Sequence, residues 1–339
     1  MLNFCTLYNS NYAAKGLAMY WSLKRVCPEF RLFVFAFDDM LAEILEKMAL
    51  PNVMVITLAE FEDEELLRVK PTRSVAEYCW TCTASTILYC LNHYKIDHCT
   101  YIDSDLYFYA NPQIMLDELG DDDILITPHW FAPNEDISYR VGKYCVQFVT
   151  VKNTPNAIRI ISEWRKDCLN WCYSQYEDGK MGDQMYLDKW PEKYKGVHVS
   201  QNRGGGVAPW NMLQYDFIQH NENITCRLKD RGSEYRLVFY HYHACCSTRK
   251  GYIRQLYYEP TSYVWESNVW KILFKPYAQK LVEAYKTIHK LNTEVDGLAT
   301  HELSDIPWLQ YVKETYTRCI KRKENIYFWI DQIWHNKLT

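Results

Sequence analysis

Asp103 and Asp105 are the residues in this sequence best placed to do chemistry. They stand in TYIDSDLYFY (Thr100 to Tyr109), where an apolar run leads into Asp103-Ser104-Asp105 and an aromatic run follows. Residues two apart in an extended segment share a face, so the spacing predicts both carboxylates pointing the same way at a strand's C-terminal end. Two like charges held that close repel unless a cation lies between them. Hard oxygen ligands favour Mg²⁺ or Mn²⁺, ions that keep positions open for phosphate oxygens. The chemistry implied is cation-assisted handling of a diphosphate, with Asp103 and Asp105 as metal ligands and Ser104 beside them. A second acidic run, Asp121-Asp122-Asp123, reads as a solvated turn.

Other candidates lie further along. LVFYHYH (Leu237 to His243) reads as a strand with His241 and His243 on one face, and a further metal ligand is expected from that pair. Asp183 and Gln184 open a helix running to Trp190; Asp183 is a candidate general base or acceptor-orienting group, with an N-cap as its ordinary alternative. Gln201 to Asn211 holds three consecutive glycines, expected as a loop approaching something closely, with Trp210 as a sugar platform. His129 and Asn211 join Trp210 as candidate acceptor or sugar contacts. Tyr8, Asn9 and Asp38 are candidates for holding a nucleoside. Arg73, at a helix start, is a candidate for the diphosphate.

The elements that must position these groups alternate. Strands are expected over Leu2–Tyr8, Arg31–Phe37, Asn52–Leu58, Asp123–Thr127 and Tyr144–Val151. Helices are expected before Pro28, over Met40–Ala49, from a Ser74 cap to about His93, over Pro112–Leu119 and over Asn156–Tyr176. Near-continuous apolar strands between helices mean an α/β fold: a mostly parallel sheet of Rossmann type, covered on both faces. Ligands in such sheets sit beyond the strands' C-terminal ends, which gathers Tyr8–Asn9, Asp38 and Asp103–Asp105 along one rim. No GxGxxG follows the first strand and no GxxxxGK[ST] occurs, so dinucleotide and P-loop readings lack support.

Length suggests about two domains or one with an appendage: residues 1–250, then 251–339, where aromatic and basic helical segments take over. The last of these, Tyr316 to Trp334, offers a peripheral contact with an anionic membrane surface or packing back onto the fold. A net charge of −4 leaves no nucleic-acid footprint. Aromatics are plentiful (28 Tyr, 12 Trp, 13 Phe), as carbohydrate sites and ordinary cores both require. Thirteen cysteines at irregular spacing, with no signal-like N-terminus, fit free buried thiols in a reducing cytoplasm. Cys79 and Cys82 form a CxxC, but Cys90 lies about 12 Å further along the same helix, so core packing is expected over a zinc knuckle.

Taken together, EYCWTCTAS (Glu77 to Ser85), TYIDSDLYFY, ITPHWF (Ile126 to Phe131), GDQMYLDKWP (Gly182 to Pro191), GGGVAPWN (Gly204 to Asn211) and LVFYHYH resemble bacterial nucleotide-diphospho-sugar transferases of the GT-A fold, of the surface-polysaccharide type. The resemblance spans about Leu2 to Cys246. It implies a metal-dependent glycosyltransferase, with Asp103 and Asp105 on Mn²⁺ or Mg²⁺ and the donor, and a further ligand from the histidine strand. It also implies Asp183 and Gln184 on the acceptor side, a nucleotide-sugar donor (a UDP-sugar favoured) and a glycan or lipid-linked acceptor. The sequence departs from the family at GKYCVQF (Gly142 to Phe148), where relatives carry Asn and Gly at the positions of Cys145 and Gln147. HYHACCSTRK lacks the His-Gly-Lys-Pro-Trp pattern of the glycogenin type, so stereochemistry is left open. The alternatives are an inactive sugar- or nucleotide-binding protein of the same fold and a sugar nucleotidyltransferase, which would want a basic, glycine-rich loop where Asn9-Ser10-Asn11 stands. A zinc-binding regulator built on Cys245, Cys246 and the histidines is a weaker third.

Overall fold

The computed structural model describes residues 1–133, 136–247, 253–255, 267–295 and 297–298. In chain order, β1 (Leu2–Tyr8), α1 (Ala13–Val26), β2 (Phe30–Ala36), α2 (Asp39–Met48) and β3 (Val53–Thr57) form the first half of an α/β sheet. Two short helices, α3 (Leu58–Phe61) and α4 (Glu64–Val69), lead to the long α5 (Val75–Tyr94). Ser74 and Glu77 close a reciprocal capping box there, each side chain holding the other's backbone N–H, which fixes where α5 begins. Then come β4 (His98–Ile102), β5 (Leu106–Phe108), α6 (Gln113–Leu116), β6 (Ile124–Pro128), α7 (Ser138–Val141) and β7 (Tyr144–Lys152). They are followed by α8 (Pro155–Asn170), α9 (Trp190–Lys193) and β8 (Val197–Val199).

The main sheet has seven strands in the order β3-β2-β1-β4-β7-β6-β8. All its pairs are parallel except the two made by β7, which runs antiparallel between β4 and β6. Side-chain alternation feeds two cores. Phe4, Leu32 and Val34 face α1 and α2, while Cys5, Phe33 and Phe35 face α5 and α8. This is the mostly parallel, doubly covered α/β sheet expected from the apolar strands. The chain order reverses between β1 and β4, and ligand crevices open at such a point.

Smaller sheets flank it. β9 (Gly205–Val207) and β5 sandwich β13 (Phe239–His241), while β10 (Tyr215–His220), β11 (Asn223–Leu228) and β12 (Glu234–Arg236) form an antiparallel meander. β14 (Cys245–Ser247) pairs with β15 (Ile253–Gln255), so strand structure continues past the expected change of character at residue 252. α10 (Ser267–Val269) and a π-helical turn lead into α11 (Lys275–Leu291). The C-terminal helix shares the core of the sheet: Tyr277 stacks on Tyr242 with ring centroids 3.6 Å apart, and Ala14 N–H donates to Gly297 O at 2.9 Å. The basic aromatic segment Tyr316–Trp334 lies outside the described residues.

Three local expectations are corrected. The helix expected to Tyr176 ends at Asn170, because Trp171 is extended and the Tyr186 hydroxyl takes its carbonyl at 2.8 Å. Within the expected loop Gln201–Asn211, Gly205–Val207 form a short buried strand, while Gly204 stays in a turn. It approaches closely all the same: a Cβ on Gly204 would lie 2.0 Å from Arg236 O. Asp123 is no solvated turn residue, since Thr154 and Asn156 both donate to its carboxylate. Cys82 and Cys90 are fully buried and Cys79 is half-buried, as core packing requires.

Candidate active site

The Asp-Ser-Asp segment links two sheets. β4 ends at Ile102, β5 begins at Leu106, and the turn between them closes with Leu106 N–H donating to Asp103 O at 3.3 Å. The two carboxylates therefore converge through a turn and not along one extended face, because the chain must leave the main sheet for the small one. On one side, Asp103 N–H donates to Gln147 O at 3.1 Å, prolonging the β4–β7 ladder. On the other, Tyr242 N–H donates to Asp105 O at 3.0 Å, prolonging the β5–β13 ladder. These two ladders bring Gln147 and His241 to the acidic turn.

His241 Nε2 lies 3.1 Å from Asp105 Oδ1 and 3.6 Å from Asp103 Oδ2. The Tyr101 hydroxyl donates to Asp103 Oδ1 at 3.0 Å, and Lys15 Nζ, almost fully buried, is 3.8 Å from Asp105 Oδ2. Burial and the neighbouring Asp105 push Asp103 up to about 6, against the pull of His241. Burial opposes charge on Asp105 too, but His241 and Lys15 outweigh it and hold that carboxyl well below its usual range. Burial likewise disfavours an imidazolium at His241, yet Asp105 and Asp103 together push it up to about 10. The acidic corner thus draws a positive charge onto itself.

Ligand atoms of Asp103, Asp105 and His241 all lie within 4.8 Å of one another. Two carboxylates and an imidazole are a donor set that suits Mn²⁺ or Mg²⁺ with places left for phosphate oxygens, so these residues fit the expected cation. His243 is exposed, its ring centroid 5.5 Å from that of His241, and it stands outside this three-residue group. A second group, the buried thiols of Cys5, Cys90 and Cys99, lies away from the acidic turn on the α5 face of the sheet.

The turn opens into a cavity of about 260 Å³. Of the residues singled out in the sequence, Asp103, His129, Asp183, Gln184, Trp210, His241 and His243 line it. Asp183 is buried, and its carboxyl is pushed up to about 7 by burial and by Asp103, against a hydrogen bond from Thr83. Gln184 Nε2 donates to Val141 O at 2.7 Å. Asn211 is a support beneath the wall: its amide donates to His129 O and Gly206 O, both at 2.8 Å, and Trp210 Nε1 joins it on His129 O. Ser104 and Asp105 are buried in the turn.

Besides Ser104, Asp105 and Asn211, four candidates lie outside the cavity lining. Tyr8 is buried against Gly16, where a Cβ would meet its ring at 2.4 Å. Asn9 precedes the short helical turn at Ser10, its Oδ1 buried with no hydrogen-bond partner among the described residues. Asp38 caps α2 through Leu41 N–H (2.7 Å) and takes both the N–H and the hydroxyl of Ser10, tying the ends of β1 and β2 together. Arg73 stacks on Tyr173 at 4.0 Å and donates to Leu169 O. Sequence reasoning missed Lys15, Trp80, Tyr101 and Arg140 as site residues, and saw Cys145 and Gln147 only as departures from a pattern. Lys15 and Gln147 each carried a signal: one charged residue in an apolar helix start, one amide in an apolar strand.

No protein-family model matches the chain. Among solved structures, the galactosyltransferase LgtC in complex with donor and acceptor sugar analogues aligns over 84% of this chain and 96% of its own, at 14% identity and a TM-score of 0.47. Mouse xyloside xylosyltransferase 1 aligns over 59% of this chain and 84% of its own, at 14% identity and a TM-score of 0.40. In sequence, the uncharacterized protein YfnF of Bacillus subtilis (strain 168) is 29% identical over 247 residues, 70% of this chain and 80% of that one. The uncharacterized protein YfnD of the same organism is 30% identical over 244 residues, 71% of this chain and 76% of that one. At that identity and coverage, the chain belongs to the family of Bacillus subtilis YfnD.

Proposed function

We propose that the protein is a cation-dependent glycosyltransferase that moves a sugar from a nucleoside diphosphate, UDP favoured, to a hydroxyl of a glycan or lipid-linked acceptor. The observation that carries this reading is the cluster of Asp103, Asp105 and His241, with ligand atoms within 4.8 Å, beside a cavity that also holds Asp183. A divalent cation bound there supplies neutralisation of the charge that builds on the departing diphosphate.

The chain's own groups do the rest. Lys15 offsets part of the charge of Asp105, and Tyr101 orients Asp103. Trp210 and His129 wall the space where a sugar ring would lie. In transfer, the acceptor oxygen bonds to the sugar's anomeric carbon, the bond from that carbon to the phosphate oxygen breaks, and the nucleoside diphosphate leaves. The acceptor proton goes to Asp183 if configuration inverts, or to the departing phosphate if it is retained, in which case Asp183 and Gln184 only position the acceptor.

The test is turnover of UDP-sugars with Mn²⁺, as transfer or as slow donor hydrolysis, in Asp103→Ala. The substitution removes one of two mutually repelling carboxylates, so the melting temperature should stay close to wild type while turnover is lost. Near-normal turnover in a folded variant would end the proposal.

A further inference from the structure

Two residues of the cavity lining, Gln147 and His129, each carry a polar atom (Nε2 and Nδ1) that is buried and without a hydrogen-bond partner among the described residues. Gln147 is fully buried on β7, opposite the acidic turn. Its Oε1 accepts from His241 Nδ1–H at 2.7 Å, which decides which end of the carboxamide faces the histidine. The nitrogen is turned the other way, over Gly206. That glycine has a φ of +115°, and a Cβ there would come within 3.0 Å of Nε2, so the backbone makes room for the amide without bonding it.

His129 complements it. Its ring is stacked on Phe131 at 4.8 Å and held neutral by burial, with a pKa pushed down to about 3. In a neutral imidazole one ring nitrogen donates and the other accepts, and Nδ1 has no protein partner among the described residues for either role. Two lining residues therefore each hold a buried nitrogen unmet by protein among the described residues, an amide N–H donor on Gln147 and a ring nitrogen on His129. Buried polar groups are rarely left so, and a ligand rich in hydroxyls meets both needs because each hydroxyl accepts and donates.

We propose that Gln147, with His129 beside it in the cavity lining, reads the hydroxyls of the transferred sugar, donating Nε2–H to one hydroxyl oxygen while Oε1 holds His241 in place. This deepens the transfer reading and rests on it. Gln147 so placed is a specificity residue that ties sugar recognition to the orientation of a cation ligand.

The experiment compares calorimetric Kd values, with Mn²⁺, for UDP and for whichever of UDP-glucose, UDP-galactose and UDP-N-acetylglucosamine the wild type binds most tightly. Gln147→Glu keeps an oxygen for His241 and replaces the donor by an acceptor. The ratio of UDP-sugar to UDP affinity should fall roughly tenfold in Q147E, since a site that bonds a hydroxyl discriminates through that bond. A ratio within twofold of wild type overturns the proposal. Should Q147E fail to fold, wild-type binding of monodeoxy analogues of the same donor decides: one ring position should cost about as much. No deletion costing more than twofold overturns it as well. Failure of wild-type protein to bind UDP at all with Mn²⁺ would overturn both this inference and the transfer reading, whereas retained UDP binding with an unchanged ratio strikes only this one.

Discussion

Asp183 is the side chain whose protonation the transfer reading leans on most. Burial first, and Asp103 second, push its carboxyl up to about 7, while Thr83 pulls the other way. A base works only when ionised, so an inverting enzyme should show a rate that climbs with pH through the neutral region and then levels. Asp183→Asn should remove that limb and cost about 10²- to 10⁴-fold in kcat. A limb that survives in the asparagine variant assigns it to another group. Stability runs the opposite way with pH. The folded state binds this proton more tightly than the unfolded chain, so the contribution is full below the unfolded pKa near 4 and is lost as pH rises through about 7. Asp183→Asn should therefore raise the melting temperature more at pH 8 than at pH 5. Most residues that the transfer reading uses stand out because each is a charge or an imidazole set in apolar sequence: Asp103, Asp105, Asp183, His241. Lys15 showed only as a charge in an apolar helix start; its place beside Asp105 is a contact between helix and turn that spacing does not encode.

At the scale of elements, the two ladders around the acidic turn do the positioning. Their strands were readable from apolar runs, but the register was not. Register is what sets Gln147 beside Asp103 and His241 beside Leu106. The convergence of Asp103 and Asp105 was anticipated from the two-residue period of a strand, and it is delivered instead by a turn between sheets. The glycine run was legible as a place of close approach, whereas its strand identity was hidden because glycine has no side-chain pattern to read. β9 pairs with β13 and so braces His241. Gly204→Ala would set a Cβ 2.0 Å from the backbone carbonyl of Arg236, which cannot swing aside as a side chain would. Urea unfolding should show a loss of about 1–3 kcal/mol. An unchanged midpoint would mean that β9 is not held as tightly as described.

For the molecule as a whole, the sheet and its two covered faces were legible from alternation and composition. The docking of α11 into the core was not, since an amphipathic helix does not name the surface it covers. That docking stacks Tyr277 on Tyr242, the residue that also bonds Asp105. Among the described residues no helix is long and apolar enough to cross a membrane. Charge bears directly on the proposal. A nucleoside diphosphate is an anion, the chain carries a formal charge of −4, and at the acidic turn Asp103 and Asp105 already take up the positive charge of Lys15 and His241. Repulsion should keep the ligand out unless a cation enters with it. Calorimetry of UDP binding to the wild-type chain, with EDTA and then with saturating Mn²⁺, measures that linkage most directly. The account predicts binding only with Mn²⁺, and its loss in Asp105→Asn. Equal UDP affinity in EDTA and in Mn²⁺, or undiminished binding in that variant, would contradict it.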